Sequence, residues 1–442
     1  MRIVYLVPGP AGPFFEKNSL REQALVAELR WCGHDVLLVP LLFPLTSDKD
    51  TPPSAETVPL FGGAVRVYSR HCFPFLSDHA PEWIWRHIDT QAMRRRVSKH
   101  VLGVPSRFCR FIKDALDGRN GALTSEMHHL CRWLQKQRQP DIVMLSTPFF
   151  LGTAAMLKRT LRVPVVCCMN AELEDLSRLQ GPEGIILLTK LRGLIGDVDG
   201  FIPVSQFHSD RIQSRLGVPN ACSRPVHPGI EADNFTVAPR PASPVIGIVV
   251  GGRPETAEIS PHLAVSLLRH DTRTSSIPIK VAVSFRHLGQ DQEMRSLATA
   301  GGKVETLPRT PEEVGRFFGG LSLAIFIHPT PQPAFDYLVL EALACGIPVF
   351  LQDTGANREI HSLSDAVMLY RDIAGLVNAV GKFLDAPSAE QDALRQKARR
   401  SVEHCFSMPR MAQETAEVLQ MIINRHAPQS EPWAIRQSAT VS

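Results

Sequence analysis

Short, almost wholly apolar runs alternate with longer amphipathic stretches along most of the chain. The first series is Arg2–Val7, Asp35–Val39, Asp141–Leu145, Val163–Met169 and Phe201–Val204. Runs of four to seven continuous apolar residues, rather than alternating ones, suit strands buried on both faces of a parallel sheet. Between them, periodicity near 3.6 predicts helices over Asn18–Cys32, Glu126–Lys136, Leu151–Leu161 and Gln206–Leu216. Gly33 stops the first of these, and Ser205 is placed to cap the last. A second series begins at Val245–Val250. It continues through Ile279–Ser284, Lys303–Leu307, Leu323–Ile327, Ile347–Leu351 and Val367–Tyr370. Strands alternating with helices in both halves predict two doubly wound, Rossmann-like α/β sheets. The proline-rich segment 237–244 between them reads as a linker. A last helix, near Met411–Asn424, is expected to cross back onto the first domain.

Residues 41–125 break this regularity. Proline, serine and aspartate crowd Leu45–Pro59, and helical periodicity returns only over Trp83–Val101. The segment reads as an insert on the first domain, and its aromatics Phe73, Phe75, Trp83 and Trp85 as core. The chain end, 427–442, is polar and is expected to be disordered.

At 442 residues the chain exceeds what one core usually supports. The net charge of +4 is too small to argue for nucleic-acid binding. The excess of basic residues lies before Pro241, partly in Arg94, Arg95, Arg96 and Lys99. That cluster is either a solvated helix face or a contact for anionic lipid or an anionic acceptor. The nine cysteines lack metal-ligand spacing and read as reduced thiols. No run reaches the length of a transmembrane helix, and Met1–Val7 is too short for a secretory apolar region. The expectation is a cytoplasmic protein with at most a peripheral contact at the inner face of a membrane.

The chemistry concentrates in residues 321–360: strand, proline-rich loop, helix, strand, loop, helix. Glu341 interrupts an apolar helix, and a charge there is costly unless it meets a partner or ligand. The amides at the start of that helix, near Phe335, Asp336 and Tyr337, together with its dipole, favour an anion. Leu340–Val349 reads Leu-Glu-Ala-Leu-Ala-Cys-Gly-Ile-Pro-Val. It resembles the donor-sugar motif of glycosyltransferase family 4, retaining transferases of the GT-B fold. Asp-Gly-Phe-Ile-Pro-Val-Ser at Asp199–Ser205 and His-Pro-Gly-Ile-Glu at His227–Glu231 resemble the same family's passage into its linker. The resemblance covers most of the chain and is weakest over 41–125 and 254–300.

The resemblance implies two Rossmann-like domains facing a cleft, with the C-terminal helix returning to the first. Its boundaries fall at 1–236 for the acceptor-side domain, 237–244 for the linker and 245–408 for the nucleotide-sugar domain. The crossover helix is then 409–426 and the tail 427–442. It also implies a nucleotide-sugar donor as substrate, with no cofactor and no metal, and a glycan, lipid-linked or small-molecule acceptor. Glu341 would hold ribose hydroxyls, and Arg253 the diphosphate. Phe335, Asp336 and Tyr337 would complete the donor site. Gly9 and Gly12 would form an acceptor-side loop, and Asn170 and Glu172 would lie near the anomeric carbon. In the donor site, Glu258 stands where a phosphate-binding lysine is usual, and Pro333 where a sugar-binding glutamate is usual. Arg286 or His287 could replace the missing cation. Asn170 replaces a histidine and cannot act as a base, but a retaining mechanism in which leaving-group phosphate takes the acceptor proton does not require one. The function expected is thus retaining glycosyl transfer of the kind used in polysaccharide biosynthesis. A non-catalytic GT-B binding protein is the first alternative, and a nucleotide-sugar epimerase or hydrolase the second.

Overall fold

The computed structural model describes residues 1–9, 12–41, 112–118, 124–170, 182–251, 259–283, 290–306, 310–328 and 334–426. The first sheet contains β1 (Arg2–Val7), β2 (Asp35–Pro40), β3 (Ile142–Leu145), β4 (Val165–Met169) and β5 (Gly200–Pro203). All pair in parallel, in the order β2-β1-β3-β4-β5. Helices α1 (Gly12–Trp31), α2 (Thr124–Lys136), α3 (Ala154–Leu161), α4 (Pro182–Leu194) and α5 (Gln206–Leu216) accompany it.

The second sheet contains β6 (Ile246–Val250), β7 (Ile279–Val283), β8 (Lys303–Thr306), β9 (Leu323–Ile327), β10 (Val349–Gln352) and β11 (Val367–Tyr370). They too are parallel, in the order β11-β10-β9-β6-β7-β8. Around it lie α6 (Pro261–His270), α7 (Gln290–Thr299), α8 (Pro311–Gly319), α9 (Tyr337–Ala344), α10 (Asn357–Leu363), α11 (Ile373–Asp385) and α12 (Ser388–Cys405). Helix α13 (Met408–His426) then returns to the first sheet, where Met408, Ala412, Leu419 and Ile422 pack with Ile3, Tyr5 and Leu25.

Strand order reverses between β1 and β3 in the first sheet and between β6 and β9 in the second. In open parallel sheets such switch points open crevices at the strands' carboxyl ends, where ligands bind. The central strands β1, β3, β6 and β9 are buried nearly throughout, as their unbroken apolar sequences demand.

Several boundaries differ from the sequence reading. Helix α1 starts at Gly12, not near Asn18, so Gly12 is the first residue of a helix and not part of a loop. Pro13 suits a first helical turn, where its missing N–H is no loss. Strands β4 and β10 begin at Val165 and Val349, after Pro164 and Pro348; a proline cannot donate to the ladder. The segment 151–161 divides into a 3-10 turn, Pro148–Thr153, and α3. Helices α11 and α12, which fill the chain between Tyr370 and Ser407, were not anticipated. The expected helix over 83–101 and the aromatics 73–85 lie outside the described residues.

The two crossings between the sheets touch each other. Ile230 N donates to Phe406 O at 2.9 Å and Met408 N donates to Ile230 O at 3.2 Å. At Gly229 a Cβ would lie 2.4 Å from Ser407 O, so only glycine allows the two backbones this close. Arg395 and Arg399 of α12 fasten the linker. Arg395 Nη2 donates to Ala238 O at 2.7 Å, and Arg399 Nη1 donates to Ala232 O and Phe235 O at 2.7 and 2.8 Å.

Candidate active site

Helix α9 carries the motif singled out in the sequence. Asp336 is its N-cap, and Asp336 Oδ1 accepts from Leu338 N at 2.9 Å. That amide is therefore committed to a carboxylate, in the ordinary way of a helix start. Asp336 Oδ2 lies 3.5 Å from His328 Nδ1, at the end of β9. The helix closes on Gly346 at φ 74°, with Gly346 N donating to Leu343 O and Ile347 N to Ala342 O. Leu338, Val339, Leu340, Ala342, Leu343 and Ala344 are buried, leaving Tyr337 and Glu341 as the half-buried positions. They stand one turn apart and share a face. Glu341 also reaches toward Cys345: burial first, then this carboxylate's charge, pushes the Cys345 thiol up to about 12.

The first domain presents its own strand ends to this helix. Asn170 follows β4 and is buried. Its Oδ1 accepts from Arg21 Nη2 at 2.9 Å and its Nδ2 donates to Ser146 O at 3.2 Å. Arg21, on α1, in turn holds its guanidinium carbon 5.0 Å from the centroid of the Tyr337 ring. One arginine thus links a strand end of the first sheet to the first residue of α9 in the second. A cation at this helix start was expected from the second domain, and the structure brings one from the first. The only sequence signal was a basic residue on the helix that follows the Pro8-Gly9 turn.

Further contacts draw the same strand ends together. Ser205 caps α5 by accepting from His208 N at 3.0 Å, and its hydroxyl donates to Ala334 O at 2.9 Å across the boundary. Glu359, on α10, accepts from Gln206 N at 2.9 Å, Phe207 N at 2.7 Å and His227 Nε2 at 2.8 Å. Neither Glu359 nor its pairing with His227 was foreseen. Phe335, expected at the donor site, packs its ring with His227, Tyr337 and Phe406, centroids 6.1 to 6.3 Å apart.

Of the remaining expected residues, Gly9 follows β1 with φ 83°. Glu172, Arg253, Glu258, Arg286, His287 and Pro333 lie outside the described residues. Among the described residues, no helix is long and apolar enough to cross a membrane.

Comparison with known proteins agrees with this layout. Residues 92–234 match the family model of Glycosyltransferase Family 4. A D-inositol 3-phosphate glycosyltransferase of Streptomyces bingchenggensis (strain BCW-1) is 24% identical over 228 residues, 46% of this chain and 50% of that protein. The chain thus spans about half the length of the curated relative it matches. Sucrose-phosphate synthase from Thermosynechococcus elongatus has a similar structure, with TM-score 0.62 and 12% identity over 96% of this chain and 100% of that one. The catalytic domain of Arabidopsis thaliana starch synthase IV, bound to ADP and acarbose, gives 0.60 and 12% over 96% and 99%. Anabaena HepE in complex with UDP-glucose gives 0.57 and 14% over 95% and 100%. Two parallel-sheet domains and these neighbours give the chain the GT-B fold, and over residues 92–234 it resembles Glycosyltransferase Family 4.

Proposed function

We propose that the protein is a glycosyltransferase that takes a sugar from a nucleotide-sugar donor and passes it on with retention. The acceptor is a glycan, a lipid-linked glycan or a small molecule. One observation carries the reading: the two half-buried positions of α9, Tyr337 and Glu341, share one face, and the Tyr337 end meets the strand ends of the first domain. A donor bound at α9 would lie beside an acceptor bound near Gly9 and Asn170, so reactants are held together by geometry. Glu341 would accept hydrogen bonds from ribose hydroxyls. Asn170 supplies no base; its amide is engaged by Arg21 and Ser146, so it serves to position its neighbours. The names of similar structures, which mention UDP, UDP-glucose and ADP, support a nucleotide-linked donor.

The test is release of UDP, GDP or ADP across a panel of sugar nucleotides, followed by assignment of the product's anomeric configuration by NMR. An inverted product would refute retention. Nucleotide binding without turnover on any donor and acceptor pair would favour a non-catalytic binding protein.

A further inference from the structure

Arg21 and Tyr337 hold two buried polar atoms that no described residue satisfies. Arg21 Nη2 is used on Asn170, but Arg21 Nη1 is buried and has no hydrogen-bond partner among the described residues. Tyr337 Oη is likewise buried and without a partner. A buried donor left unpaired is costly, and more so when it carries charge. Tyrosine hydroxyls in such places ordinarily find a partner. These two groups come from opposite domains and are in contact, the guanidinium lying over the ring at 5.0 Å. The pattern is that of a site completed by a ligand.

The ligand's chemistry follows from the donors. A guanidinium can only donate, and it offers its N–H groups in a planar fork that matches phosphoryl or carboxyl oxygens. The tyrosine hydroxyl beside it adds a second kind of donor. The site lies at the first residue of α9, where the helix amides favour negative charge. Asp336 caps this helix start through Leu338 N and offsets part of that positive charge, so the Arg21 guanidinium is the cation the site relies on.

We propose that Arg21 and Tyr337 form a phosphoryl-binding subsite shared between the two domains. Arg21 Nη1–H and Tyr337 Oη–H donate to non-bridging oxygens. The phosphoryl group is either the donor's diphosphate or a phosphate carried by the acceptor. Arg21 then supplies, from the first domain, the cation missing at Glu258 in the second, and it does so only while the domains are together. The inference rests on the nucleotide-sugar reading.

Calorimetric titration of the full chain with UDP, GDP and ADP, and with the parent nucleosides, reads the donor arm. Inorganic phosphate, titrated into protein saturated with nucleoside diphosphate, reads the acceptor arm. Arg21→Gln is expected to weaken one arm about tenfold or more while leaving nucleoside affinity unchanged. Tyr337→Phe should give a smaller loss on the same arm. A loss on the first arm assigns the subsite to the donor diphosphate; a loss on the second assigns it to a phosphorylated acceptor. Unchanged affinity on both arms, in a variant of unaltered melting temperature, overturns the subsite and leaves the transferase reading standing. Wild-type protein that binds no nucleoside diphosphate overturns both. Should Arg21→Gln fail to fold, Arg21→Lys keeps the charge but loses the fork, and is read in the same way.

Discussion

His227 and Glu359 meet at 2.8 Å across the boundary between the two domains. Glu359 belongs to α10 of the second domain, yet its carboxylate caps α5 of the first through Gln206 N and Phe207 N. A negative group at a helix N-terminus is favoured by the exposed amides and by the helix dipole. One carboxylate therefore satisfies a helix start and a histidine that its own domain does not contain. Both side chains are mostly buried, at 26% and 21% exposure, so solvent screens the pair only in part.

Removing that carboxylate should loosen the interface. Glu359→Gln retains one acceptor but loses the charge; Glu359→Ala loses both and should cost about 1.5–3 kcal/mol for each charged hydrogen bond broken. Burial raises the Glu359 pKa, but hydrogen bonds from His227, Phe207 and Gln206 outweigh it and hold the carboxyl below 4.5. A depressed acid stabilises the fold above its unfolded pKa and loses that stabilisation as pH falls through the folded value. Denaturant midpoints should therefore drop below about pH 4.5 in wild type and drop less in Glu359→Gln. Parallel acid profiles for the two proteins would refute the role.

His208 gives a second and separate pH dependence. It is fully buried in α5, and neither ring nitrogen has a hydrogen-bond partner among the described residues. Burial, helped by the nearby charge of Arg211, lowers its pKa from 6.5 to about 3. The unfolded chain then binds a proton that the native chain refuses, so stability falls as pH drops from 6.5 toward 3. The slope should approach about 1.4 kcal/mol per pH unit. His208→Leu should be close to neutral at pH 7 and should flatten the profile between pH 6 and 4, as read by urea unfolding. An unchanged slope would mean that another group carries the dependence.

Glu341 is the test of the donor site. Glu341→Gln should weaken nucleotide binding by about 1–3 kcal/mol, the range for hydrogen bonds to a charged group. The melting temperature should change little. Calorimetry showing the same nucleotide affinity as wild type would reassign Glu341 to a structural role.

Gly229→Ala probes the contact between the crossings. The added Cβ would sit 2.4 Å from Ser407 O and 2.9 Å from Met408 Cα, so backbone must move. A loss of about 1–3 kcal/mol is expected, as for overpacked cores. Gly217→Ala makes the comparison: it is strained by its φ of 77° but meets nothing within 4 Å, whereas Gly229 has no positive φ and only the close contact, so the Gly217 change should cost less. An unchanged urea midpoint for Gly229→Ala would show that the two crossings can part at no cost.

The parallel strands were legible because a strand buried on both faces must be apolar throughout, as Leu323–Ile327 and Ile246–Val250 are. Gly346 and Ser205 were legible because caps require particular residue types at particular places. Boundaries beside Pro164 and Pro348 slipped by two residues, since apolar character continues past the point where pairing stops. Helix α12 was missed because its core-facing side includes Gln391 and Arg395, polar residues buried by bonding to backbone carbonyls. In the site, Glu341 stood out as a charge within an apolar run. Arg21 and Glu359 did not, because each looks like an ordinary surface charge on its own helix. Their partners, Tyr337 for one and Gln206, Phe207 and His227 for the other, are brought by the other domain. Such pairings depend on how the domains meet, which no local pattern encodes.

Helix α13 gives the protein an unusual order of completion. It covers Ile3, Tyr5 and Leu25 of the first domain, yet it follows the whole second sheet in the chain. On a ribosome, domains generally fold as units in the order in which they emerge. Here the domain that emerges first must wait, with part of its apolar face uncovered, until the other has been made. During that interval its apolar face is open to chaperones or to a second nascent chain, whereas the second domain has its helices supplied by its own stretch of sequence.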